Sequence, residues 1–236
     1  MPKYYFWLDG KLSTDYGIQL QHPVCFSKPS RRVESVTIPG RNGVLHRSED
    51  AFEPVSATLD CFVLQSDAEQ RAGDLATWFL GTKGQRRFEI PEDPEAYRLI
   101  TITDGYDTDN RVNLLDAFSV PITARPERFL KLGERAMQVQ NGTELHNPGM
   151  PSKPLIEVSG SGSGVVTVGG VSVNILDIPG TLYLDCDIEN AYNSFGDQNG
   201  KVSTPDGYPV VPSGLSVVTW SGGVTTVKIT PRWWSL

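Results

Sequence analysis

The chain has little of what common catalytic and ligand-binding sites are built from. Its three histidines, His22, His46 and His146, stand far apart. None forms a metal-ligand pair at helical or strand spacing, and no motif backs one as a catalytic base. Patterns of the HExxH, P-loop and G-x-S-x-G kind are absent. The three cysteines, Cys25, Cys61 and Cys186, are an odd and widely spaced set. That excludes a disulfide framework and a zinc knuckle and suits a protein made in a reducing cytoplasm. No apolar run approaches the roughly 18 residues of a membrane span. Basic runs with interleaved aromatics are also missing, and the net charge of −7 argues against a nucleic-acid partner. The opening Met1-Pro2-Lys3-Tyr4-Tyr5-Phe6-Trp7-Leu8 lacks a long apolar core and a small-residue cleavage site. It reads as a mature strand rather than a signal peptide. These absences point away from an enzyme, and no cofactor is expected.

What is present is turn chemistry and strand patterning. Val36-Thr37-Ile38-Pro39-Gly40-Arg41-Asn42-Gly43-Val44-Leu45 runs from a β-prone stretch through two turns and back. Pro39 presets φ, and Gly40 and Gly43 can take the positive φ most residues avoid. A sharply bent loop between two strands is expected, with Arg41 at its tip. Asp9-Gly10 after Tyr5-Phe6-Trp7-Leu8 predicts a type I′ hairpin. Val55, Ala57, Leu59, Cys61 and Val63 alternate with polar residues, as in a half-buried strand. Cys61 and Cys186 sit in such patterns and read as small buried hydrophobes. One helix is predicted. Ser66-Asp67-Ala68-Glu69 reads as its capping box, Ala68, Ala72, Leu75, Ala76 and Phe79 as its apolar stripe, and Gly81 as its C′ residue. Residues 86–90, 97–102 and 117–122 read as further strands, with an acidic loop from Asp104 to Asn113.

The composition changes near residue 135. Residues 1–135 hold 17 of the 21 Lys and Arg and 20 of the 28 Asp and Glu, whereas residues 136–236 hold 14 of the 23 glycines. Two domains are therefore expected, 1–135 and 136–236, with the final residues packing back on the first. The second reads as all-β. Gly169-Gly170 predicts a hairpin between 165–168 and 171–173, and Ser221-Gly222-Gly223 another between 215–220 and 224–229. Gly160-Ser161-Gly162-Ser163-Gly164 reads as a flexible turn. Short strands at this spacing indicate a β-sandwich.

Candidate chemistry is sparse. Asp104, Asp107 and Asp109 cluster as calcium ligands do, but without EF-hand order, and read as a solvated hairpin loop. Asp185, Asp187 and Glu189 fall on one strand face, so a carboxylate pair for glycosidase chemistry is conceivable, against the commoner reading of neighbouring surface carboxylates on a solvent face. Trp233 and Trp234 would point to opposite faces of a strand. Tyr192, Tyr208 and Trp220 are candidate sugar-stacking aromatics, against the plainer reading that they fill the core.

Taken in order, several of these pieces resemble the distal tail (Dit) protein family of long-tailed bacteriophages. They are the aromatic strand with Asp9-Gly10, Asp15-Tyr16-Gly17-Ile18, Ile38-Pro39-Gly40-Arg41-Asn42-Gly43 and the helix ending Trp78-Phe79-Leu80. Tyr97, Asn147-Pro148-Gly149, Pro154-Leu155-Ile156, the Asp185 strand, Val210-Val211-Pro212-Ser213-Gly214 and Ile229-Thr230-Pro231-Arg232-Trp233-Trp234 complete the match. The resemblance implies a mainly β protein, with an N-terminal β-sandwich-like domain carrying one helix and a C-terminal domain like a galectin or carbohydrate-binding module. It implies a ring, usually a homohexamer, joining the tail tube protein to tail-tip, baseplate or receptor-binding proteins of a phage or prophage virion. Assembly would take place in the host cytoplasm. Gly40, Arg41, Asn42 and Gly43 are then expected at a subunit or partner contact. The alternative is an adhesin whose C-terminal sandwich binds a cell-surface glycan.

Overall fold

The computed structural model describes residues 4–64, 68–105, 108–109 and 115–236. It divides into two compact units, residues 1–128 together with Leu236, and residues 129–235. Both are built mainly of antiparallel strands, and one α-helix is present among the described residues.

The first unit contains β1 (Trp7–Leu8), β2 (Lys11–Leu12), β3 (Ile18–Leu20), β4 (Arg31–Val36), β5 (Leu45–Phe52) and β6 (Val55–Leu64). These are followed by α1 (Ala68–Leu80), β7 (Arg86–Glu89), β8 (Ala96–Thr101), β9 (Thr108–Asp109) and β10 (Leu115–Leu130), which belongs to this unit as far as Arg128. Its main sheet runs β2-β1-β7-β8-β10-β6-β3, with β9 also on β10. The predicted β1–β2 turn forms as expected, with Asp9 at φ 52° and Gly10 at φ 75°. Asp9 does more than turn the chain. Its Oδ1 accepts from the Arg87 amide at 2.9 Å and its Oδ2 from Arg86 Nε at 2.7 Å, which ties the turn to β7.

Alternation on β6 buries Val55, Leu59, Cys61 and Val63. The helix lays Leu75, Trp78 and Phe79 on this core, where Phe79 meets Phe6 and Phe118. The capping box at Ser66 and the side chains of Ala68 and Ala72 lie outside the described residues. Gly81 ends the helix, donating to the Thr77 carbonyl at 2.9 Å. Its φ is not left-handed; a Cβ there would collide with the Thr77 carbonyl oxygen, so close approach is what requires glycine.

β4 and β5 stand apart as a two-stranded sheet of their own, and every described side chain from Arg31 to Glu49 is exposed. This arm is tied at its base by Arg32 to Glu53 at 3.0 Å and by Arg31 over the Phe52 ring.

The second unit contains β11 (Met137–Val139), β12 (Thr143–Asn147), β13 (Leu155–Val168), β14 (Val171–Asp185) and β15 (Asn190–Asn193). β16 (Gly196–Asp197), β17 (Val202–Ser203), β18 (Gly214–Thr230) and β19 (Trp234–Ser235) complete it. The sheet order is β11-β18-β13-β14-β15-β16, with β12 on β18 and β17 on β14. The Gly169-Gly170 turn forms as predicted, at φ 59° and 87°. The other two glycine clusters do not make turns. Gly160–Gly164 lies inside β13, and Ser221-Gly222-Gly223 inside β18, where the two strands pair across register shifts. A Cβ on Gly223 would overlap the Ser161 carbonyl oxygen, and one on Gly160 the Gly223 carbonyl oxygen. The glycines let two long strands bulge and pass backbone to backbone. Ile156, Val158, Val166, Val173, Leu182 and Leu184 fill the core beneath them.

Candidate functional site

The Pro39–Val44 loop joins β4 to β5 at the tip of the exposed arm. Gly40 and Gly43 hold φ at 80° and 88°, and the Arg41 amide donates to the Ile38 carbonyl at 3.1 Å. Gly40, Arg41, Asn42 and Gly43 are all exposed. The four predicted contact residues are thus presented together, on one tight turn. Apolar side chains accompany them: Val33, Val36, Ile38, Val44 and Leu45 are 36–53% exposed. From Ser35 to Ser48 the arm carries Arg41, His46 and Arg47 and no acid. A hairpin that pairs with no other strand among the described residues and carries an apolar tip with Arg41 is marginal in water by itself and is suited to burial against another surface.

The candidate sugar-stacking residues are scattered over different elements. Tyr192 on β15 stacks on Tyr183 of β14, with ring centroids 5.4 Å apart. Tyr208 packs against the core of its unit, its hydroxyl donating to Asn199 Oδ1 at 3.3 Å, and burial raises its phenol above the ordinary range. Trp220 also packs on that core, and its backbone amide and carbonyl are both held by the Asn141 side chain.

The three carboxylates Asp185, Asp187 and Glu189 do not line one strand face. β14 ends at Asp185, whose Oδ1 accepts from the Asp187 amide at 3.1 Å and turns the chain. The Asp185 carboxylate is instead forked by Arg232, which holds it below its ordinary range. Asp104 is exposed, while Asp107 and the Asp109 side chain lie outside the described residues. Trp233 is buried, whereas Trp234 is half-buried with its indole donating to the Pro151 carbonyl at 2.9 Å. Cys61 and Cys186 are buried free thiols, with burial pushing Cys186 up to about 12.

One cluster escaped the sequence reading. His22 Nε2 lies 2.9 Å from Asp60 Oδ2, and Ser119 Oγ donates to Asp60 Oδ1 at 2.5 Å. The residue types are those of a hydrolase triad, but the order is wrong. The carboxylate sits between serine and histidine, so no imidazole is placed to take the serine proton. A separation of 38 residues between His22 and Asp60, and 59 between Asp60 and Ser119, leaves no local signal for it.

No protein-family profile matches the chain, and no curated protein sequence does. Among solved structures the chain is similar to the crystal structure of the SPP1 Dit (gp 19.1) protein, described as a paradigm of hub adsorption apparatus in Gram-positive infecting phages. The TM-score is 0.76 at 15% identity, over 96% of this chain and 98% of that chain. The likeness therefore spans both units and establishes the fold.

Proposed function

We propose that this chain is a structural, non-enzymatic component of a phage or prophage tail tip, a distal tail protein. It forms a homohexameric ring that joins the tail tube protein to the baseplate and receptor-binding proteins. The first unit builds the ring through its arm, and the second is a galectin-like sandwich. The observation that carries this reading is the match of the whole fold to a phage hub protein. The arm supports it independently. A two-stranded sheet with both faces exposed gains stability when another chain covers it. A head-to-tail contact of that kind must close into a ring or else grow into a filament.

The test is the mass of the purified full-length chain by light scattering across concentration, with negative-stain imaging of the same sample. The expected result is a closed ring of about six copies. An open filament, or a monomer at every concentration, overturns it. The alternative, a glycan-binding adhesin, has weaker support, because Tyr208 and Trp220 are engaged in packing. A glycan array with the full-length chain, and with Tyr192→Ala, separates the two readings.

A further inference from the structure

The chain contains three Asn-Gly pairs, Asn42-Gly43, Asn141-Gly142 and Asn199-Gly200. Such a pair can rearrange without an enzyme. The glycine amide nitrogen, once it has lost its proton, attacks the asparagine Cγ. The Cγ–Nδ2 bond breaks, ammonia leaves and a cyclic succinimide remains. Water then opens the ring at either carbonyl. The product is aspartate or, with the main chain rerouted through the side chain, isoaspartate. One water is consumed and one ammonia released, with no oxidant or reductant. Two groups must be free for this: the asparagine carboxamide, which has to swing onto the backbone, and the glycine N–H. Glycine offers no Cβ to obstruct the approach.

All three asparagines are exposed, so exposure does not separate them. Hydrogen bonding does. Asn141 Nδ2 donates to the Trp220 carbonyl at 2.8 Å and its Oδ1 accepts from the Trp220 amide at 3.0 Å. The Gly142 amide is occupied as well, donating to the Val218 carbonyl at 2.8 Å. Asn199 Oδ1 accepts from the Ala191 amide at 2.8 Å, and its Nδ2 donates to Asn190 Oδ1 at 2.6 Å. At the arm tip neither group is held. The Asn42 side chain and the Gly43 amide have no hydrogen-bond partner among the described residues, and a Cβ on Gly43 would meet nothing within 4 Å. We propose that Asn42 is a site of spontaneous deamidation, through which the arm tip ages until another surface covers it. The product changes the tip, because Ser35 to Ser48 carries Arg41, His46 and Arg47 and no acid. Aspartate puts a negative charge beside Arg41, and isoaspartate also lengthens the main chain within a tight turn. The effect on assembly rests on the ring reading above, whereas the modification does not.

Peptide mapping by mass spectrometry tests it on the full-length chain, incubated at neutral and at mildly alkaline pH, against a zero-time sample digested identically. Conversion at Asn42 is expected to run about tenfold or more ahead of Asn141 and Asn199, whose hydrogen bonds must first open. It should also speed up with pH, because the attacking nitrogen must lose its proton. In concentrated urea the three rates should converge, since glycine follows each asparagine and only the fold tells them apart. Conversion at Asn42 no faster than at the other two in the folded chain overturns the site. A lead that persists undiminished in urea overturns the structural cause. Light scattering on Asn42→Asp and Asn42→Gln reads the consequence. Asn42→Asp is expected to raise the concentration needed for assembly about threefold or more, and the uncharged Asn42→Gln to match wild type. Equal assembly of all three chains removes the consequence and leaves the modification standing. A wild-type chain that stays monomeric overturns the ring reading, and the consequence with it, while the peptide map still decides the modification.

Discussion

Arg232 holds Asp185 in a fork, Nη1 to Oδ1 at 2.6 Å and Nη2 to Oδ2 at 2.9 Å. Arg232 adopts φ 55°, unusual for a residue with a side chain, and its amide donates to the Gly133 carbonyl at 2.8 Å. The pair thus pins the end of β14 to the C-terminal tail. Hydrogen bonds to charged groups are worth about 1.5–3 kcal/mol each. Arg232→Ala is expected to cost about 3 kcal/mol, read as a lower urea midpoint at pH 7. The carboxyl is held below its ordinary value of 3.8, chiefly by the Arg232 hydrogen bonds. Its contribution is therefore complete above the unfolded value and is lost as pH falls through the lower folded value. Wild type should lose its margin over Asp185→Asn only below about pH 4.

His22 moves in the opposite sense. Its pKa is raised above 6.5, first by donation to the Pro23 carbonyl and then by Asp60. A raised folded value means that the contribution is complete below the unfolded pKa and disappears as pH rises through the folded one. The expected NMR titration midpoint lies above 6.5 and falls toward it in Asp60→Asn. An unchanged midpoint in that variant would remove Asp60 as a cause.

The arm tip and the core should separate in experiment. A Cβ on Gly40 or Gly43 would meet nothing within 4 Å, so only their left-handed φ resists substitution. That strain is about 1–2 kcal/mol per residue for L side chains, and more for a β-branched one. Replacing both by Val is expected to abolish assembly while leaving the melting of the two units close to wild type. Assembly equal to wild type would show that the turn geometry is dispensable.

Gly223 and Gly200 make a controlled pair. A Cβ on Gly223 overlaps the Ser161 carbonyl oxygen, whereas one on Gly200 meets nothing within 4 Å. Gly223→Ala is expected to destabilise by about 2–3 kcal/mol, and Gly200→Ala to stay within about 0.5. Chemical denaturation at neutral pH reads both.

Local signals were legible wherever the cause was local. Asp9-Gly10 and Gly169-Gly170 need positive φ at both turn positions, and few other dipeptides supply it. The alternation from Val55 to Val63 reports one buried sheet face, because side chains on a strand alternate with period two. The Pro39–Gly43 loop was readable for the same reason, since its bend depends on its own residues.

By itself the sequence determined the mainly β class, the hairpin turns, the helix carrying Leu75 and Phe79, and the placing of Arg41 on a tight loop. Each follows from backbone preferences and periodicity within a dozen residues. The tertiary structure decided what the glycines at 160–164 and 222–223 are for. Their need arises from a neighbouring backbone some 60 residues away, invisible to turn statistics. It also decided that Asp185 is an Arg232 partner rather than one of three surface carboxylates, and that Asp60 binds both His22 and Ser119. Those outcomes depend on which strands pair and in what register, and long-range burial sets both.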